Sequence, residues 1–173
     1  HGTGMVVLTM RYVRPLILVL LWLLATGWSS AGAASRPSVA AASVHASGGW
    51  LHADVQLRDL IDERTASTID SGLSGVCAYE VAVLGPDDRI VGRRVWTLEL
   101  SHDLWEDRYV VTGTDRELAL PSLAAMDSVC SRITDLRLAP ISQFRPDTEY
   151  RLVVVVEVLP LGAEAQDRLS RYI

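Results

Sequence analysis

The stretch "LSHDLWEDRYVVTG", residues 100–113, concentrates the side chains that can do chemistry: one His, three acids, one Arg and one Trp. Ser101, His102 and Asp103 invite a hydrolytic reading, with a site built from His102, Asp103 and Glu106. Neighbours on a strand point to opposite faces, however, so His102 and Asp103 cannot meet across their own backbone, and a triad needs its base bonded to both partners. Ser74 in "GLSGV" lacks the full G-x-S-x-G spacing of a nucleophile elbow. The competing reading makes this cluster the corner of a hairpin, and no catalytic residue is assigned. Trp105 and Arg108 are then the candidate binding residues. A Trp placed among acids in a turn either caps the sheet end, the commoner outcome, or waits for a partner, since Trp is enriched among binding hot spots.

Two other sets of residues have side chains suited to chemistry. His45, His52 and His102 could hold a metal only by folding together, because none is spaced i, i+4 and none adjoins a Cys pair, whereas zinc needs three or four converging ligands. His45 also falls in a linker-like stretch, so no metal and no cofactor are expected. Cys77 and Cys130 are the two cysteines, and an even count in an exported chain suggests a bridge. Each falls on the inward face of its element, and a bridge would be worth about 4 kcal/mol in the chain-entropy model. The alternative is two separately buried thiols acting as small hydrophobes.

Alternation and punctuation supply the elements that position these groups. Trp50–Leu57 alternates, a short helix follows over 61–71, and Gly72 supplies its left-handed stop. Cys77, Tyr79, Val81 and Val83 share one strand face. Gly85–Asp88 is a turn, and Ile90–His102 with Arg108–Thr112 makes a strand and its return. Pro121 suits a first helical turn, with Leu123, Met126, Cys130 and Ile133 on one face. Asp135–Leu138 is a brief strand, Leu152–Leu159 a covered one, and Ala163–Ile173 a closing helix. The fold expected is mainly β with short helices, an antiparallel sandwich or half-open sheet with a packed helix, α+β being the alternative.

The chain has 173 residues, is 49% hydrophobic and carries a net charge of −5 with a pI near 5.3. That balance argues against a nucleic-acid binder, which needs a basic patch. All sixteen basic residues are Arg. Arg11 and Arg14, the apolar run Leu16–Leu24 and the small residues Ala31-Gly32-Ala33 have the layout of a secretory signal, cleaved before Ala34, or of an uncleaved anchor. Residues 1–9 precede a plausible start at Met10 and read as an extension. The expected organisation is therefore an extension over 1–9, a signal over 10–33, a linker over 34–49 and one β-rich domain over 50–173.

In order, "LHADVQL", "TIDSGLSGVCAYEVAV", "RRVWTLELSHDLWEDRYVV", "LPSLAAM" and "PDTEYRLVVVVEVLPL" resemble a bacterial exported family catalogued as domain of unknown function 4390. The resemblance runs from Leu51 to Leu161. It rests on Ser71-Gly72-Leu73 before Tyr79-Glu80-Val81, on Asp103-Leu104-Trp105 with Arg108-Tyr109-Val110, and on Pro146 to Arg151. It implies export to the periplasm or cell envelope and brings no activity, cofactor or catalytic residue. The functional expectation is a non-enzymatic binding or accessory domain that engages an envelope protein or component through loops at one sheet end. An envelope enzyme and a membrane-anchored structural domain are the alternatives.

Overall fold

A computed structural model describes residues 3–11 and 37–160. Their strands and helices run β1 (Thr3–Arg11), β2 (Ser38–Ser47), β3 (Trp50–Arg58), α1 (Glu63–Asp70), β4 (Gly75–Leu84), β5 (Ile90–Asp103), β6 (Arg108–Thr112), β7 (Glu117–Leu120), α2 (Leu123–Cys130), β8 (Arg132–Pro140) and β9 (Glu149–Pro160). One sheet has the order β1-β9-β4-β5-β6-β7 and the other β2-β3-β8, and every pairing is antiparallel. The architecture is mainly β, two sheets with two short helices, and it does not close into a barrel.

Alternation places the core between the sheets. In β3, Leu51, Ala53, Val55 and Leu57 are buried, leaving Trp50, His52, Asp54 and Gln56 on the outer face. Facing them are Cys77, Tyr79, Val81 and Val83 of β4 and Leu152, Val154, Val156 and Val158 of β9, all in one cluster with Leu100 of β5. A buried Leu or Val side chain contributes about 1.5–3 kcal/mol, so this shared face is what holds the sheets together.

The helices close the ends of that core. Asp62 caps α1, its carboxylate accepting from the Thr65 N–H at 2.8 Å. Gly72, at φ +82°, ends it as expected. Ser122 caps α2, and Met126 and Cys130 are its buried residues. Pro121 therefore lies ahead of the helix rather than in its first turn, and Ile133, expected on the same helical face, belongs to β8. The helix stops at Cys130 because the chain must re-extend to pair with β3.

Two stretches expected to lie outside the domain are strands. Residues 34–49 have the composition of a linker, yet Ser38–Ser47 pairs along β3, with a register shift between Val39 and Ala41. Its small residues look like a linker, but Val39, Ala42 and Val44 pack against the core. Thr3–Arg11, left out of the expected fold, pairs with β9. The signal-like region otherwise lies outside the described residues, as does the closing helix expected over 163–173. Among the described residues no helix is long and apolar enough to cross a membrane.

Candidate functional site

The corner between β5 and β6 is a hairpin. Asp103 pairs with Arg108 and His102 with Tyr109, which leaves a loop of four residues, Leu104–Asp107. The Asp103 carboxylate accepts from the N–H of Trp105 at 2.9 Å and of Glu106 at 3.2 Å. An Asp side chain that bonds backbone two and three residues on folds the chain back without needing a longer loop. Those same bonds hold its carboxyl below the usual carboxylate range. Asp107, at φ +48°, supplies the left-handed residue that returns the chain to the sheet.

Beneath the turn is a clamp of polar and aromatic groups. The His102 ring stacks on Tyr109 with centroids 4.3 Å apart, and its Nε2 lies 3.2 Å from Asp107 Oδ1. The Tyr109 hydroxyl donates to Asp70 Oδ1 at 2.7 Å, tying the end of α1 to β6 and pushing the phenol above its ordinary pKa. Glu106 is ion-paired with Arg108 at 2.7 Å. His102, Asp103 and Glu106 thus each have a separate structural partner instead of converging on one point. Ser101 lies on the opposite strand face from His102. Ser74 sits in the loop before β4, with no hydrogen bond to a histidine among the described residues.

Above the clamp the corner is apolar. Trp105 is 98% exposed, Leu104 58% and Leu73 60%. Leu104 lies over the loop that follows α1, since a Cβ on Gly72 would meet its Cδ1 at 2.7 Å. The commoner outcome for Trp105, capping the sheet end, is not what the structure shows: the ring covers nothing. The turn is fixed from below by Asp103 and Asp107, which aim the ring outward. No local sequence signal marks Leu73 and Leu104, because only the meeting of the two loops makes them neighbours of one patch.

The cysteines correct a second expectation. Cys77 and Cys130 are both buried, but they are free thiols and not a bridge. Burial pushes the Cys77 thiol far up and that of Cys130 to about 12, so neither supplies the thiolate that starts disulfide exchange. Tyr79 shares their pocket, donating its hydroxyl to the Cys130 carbonyl at 3.0 Å. Both cysteines act as small core residues.

The histidines correct a third. His102 stands apart in the clamp, while His45 and His52 are opposite residues of the β2–β3 hairpin, their rings stacked at 5.4 Å. Asp135 of β8 joins them: His52 Nδ1 lies 2.6 Å and His45 Nε2 3.5 Å from its Oδ1. Asp54 stands behind, with Oδ2 3.4 Å from His45 Nδ1 and Oδ1 accepting the Asp135 N–H at 2.8 Å. The missed signal was Gly48-Gly49. Both have positive φ, +55° and +80°, as a two-residue hairpin turn requires, and that turn makes the "linker" histidine a cross-strand neighbour of His52.

Depressions mark the surface of the described residues. A cleft of about 490 Å³ lies between the β4–β5 turn and the approach to β9, lined by Arg89, Gln143, Arg145, Thr148 and Tyr150 among others. A shallower one of about 260 Å³ opens beside Asp54, along β2, β3 and β8. Comparison with known protein families, with curated proteins and with solved structures gives no match for this chain.

Proposed function

We propose that the chain is an exported domain of the bacterial cell envelope that binds a protein partner through the corner formed by Leu73, Leu104 and Trp105, and that it does no chemistry at that corner. The signal-like residues 10–33 and the resemblance to the exported family support the location. The observation that carries the binding reading is the 98% exposure of Trp105 on a turn held from below by its own backbone bonds. A large ring already fixed in place loses little freedom on docking, which is how preorganised anchors gain affinity. Asp103, Glu106 and Asp107 surround it, with Arg108 already paired to Glu106. The matching surface is therefore an apolar pocket with a basic rim on another envelope protein.

The test places a photo-crosslinking residue at the exposed neighbouring position 106 in the exporting cell, and compares partner capture when position 105 is Trp with capture by Trp105→Ala and Leu104→Ala in that same background. The expected result is one crosslinked protein, whose capture by Trp105→Ala falls by about 30-fold or more, as a hot spot of 2 kcal/mol or above implies. The melting temperature of Trp105→Ala should stay within about 1 °C of wild type, because the ring buries almost no area. Unchanged capture by Trp105→Ala, or a melting temperature lowered by several degrees, would overturn the reading.

A further inference from the structure

We propose that His45, His52 and Asp135 form a zinc-binding site on the outer face of the three-stranded sheet, with Asp54 as the positioning residue behind it. This site is separate from the Trp105 corner and does not depend on it. One donor atom from each of the three lies within 4.8 Å of the others. Ligands at about 2.0–2.1 Å in a tetrahedron stand about 3.4 Å apart, so small side-chain rotations bring the three into coordinating positions.

Three features build the site. The tight β2–β3 turn makes His45 and His52 direct cross-strand partners on the outer face. Next, β3 pairs Ala53 with Leu136 and Val55 with Ile133, so two residues of β8, Thr134 and Asp135, lie opposite Asp54 alone. Such a bulge re-aims a side chain, and Asp135 takes φ +53° there, a conformation uncommon within a strand. The result is a carboxylate turned toward both imidazoles. Finally, Asp54 orients the set from behind: one oxygen fixes the Asp135 amide and the other lies beside His45 Nδ1, which turns His45 Nε2 toward Asp135. A carboxylate behind a ligating histidine is the usual support of a metal-bound imidazole.

The donor set favours a transition metal, of which zinc is the one proposed, over the hard alkaline-earth cations. Two imidazole nitrogens and one carboxylate suit zinc, which imposes no geometry of its own, better than calcium or magnesium, which take oxygen ligands. His52 forms the floor, its side chain only 12% exposed, while His45 at 45% and Asp135 at 72% form an open rim. A fourth position faces solvent and takes a water.

The test is titration of Zn²⁺ into the full chain in competition with a chromophoric chelator, with Co²⁺ as the spectroscopic probe. The expected result is one ion per chain and the visible absorption of a four- or five-coordinate Co²⁺ site. Both should be lost in His45→Ala and Asp135→Asn, whereas His102→Ala keeps them and Asp54→Asn weakens binding about 10- to 100-fold. Circular dichroism of each variant separates lost ligands from lost fold, and His45 is exposed enough for its variant to fold. Failure of the wild type to bind one equivalent, or retention of binding by folded His45→Ala and Asp135→Asn, would overturn the proposal.

Discussion

At Gly92 strand β5 runs close against β8 of the other sheet, and replacing it with Ala tests how the two pack. A Cβ at this position would lie 2.8 Å from Ala139 Cβ, 2.8 Å from the Leu138 carbonyl oxygen and 3.1 Å from the Leu138 carbonyl carbon. Carbon atoms prefer about 3.5–4.0 Å, so β5 and β8 must part by roughly 1 Å, and two of the three obstructing atoms are backbone. Overpacking of this kind costs about 1–3 kcal/mol. Against it stands the reduced freedom of the unfolded chain, about 0.4–1 kcal/mol in favour of Ala. The net expectation is a destabilisation of about 0–2.6 kcal/mol, centred on about 1.3, which at that centre lowers the melting temperature by roughly 3–8 °C for a domain of this size. Gly75→Ala is the internal control. Its Cβ would meet Leu159 O at 3.7 Å and Ile69 Cδ1 at 3.9 Å, ordinary contacts, so that variant should be neutral or slightly stabilised. Thermal and urea unfolding followed by circular dichroism measures both. If Gly92→Ala proved as stable as Gly75→Ala, the close approach of β5 to β8 would be wrong.

Other perturbations read the rest of the fold. Tyr109→Ala removes a half-buried ring, its stack on His102 and its bond to Asp70, and should cost about 2 kcal/mol in chemical denaturation, less than the 3–5 of a fully buried aromatic. Cys77 and Cys130 should resist a thiol reagent in the native protein and react only at the rate of unfolding; fast labelling of either would contradict their burial. Asp62 and Asp103 are both held below their ordinary values by hydrogen bonds, to Thr65 and to the turn amides respectively. The unfolded chain therefore takes up protons first, and the stability these groups contribute is present above about pH 4 and lost as pH falls through their lower folded values. Asp62→Asn should flatten the fall in melting temperature below about pH 4, and an unchanged profile would remove Asp62 from the account.

Local chemistry made much of the molecule legible. The alternation in Trp50–Leu57 and Cys77–Val83 marks the core faces of β3 and β4, because a strand's side-chain period needs no knowledge of its partner. Gly72 closes α1, and the cluster around His102 marks a corner, because the strand faces on either side of it are already assigned.

Pairing and burial were decided elsewhere. Ser38–Ser47 is too poor in large side chains to declare itself a strand, and becomes one because β3 supplies its hydrogen bonds and the core accepts Val39, Ala42 and Val44. The spacing of Ile133 fits a helix until pairing with Val55 draws it into β8. The cysteines are both buried, as the spacing implied, yet only the tertiary structure shows them as separate thiols, with Tyr79 bonded to the Cys130 carbonyl. His45 and Asp135 are ninety positions apart in sequence, and no local pattern links them. One two-residue turn and one bulge bring them to His52, since contacts between distant positions exist only once the strands have found their register.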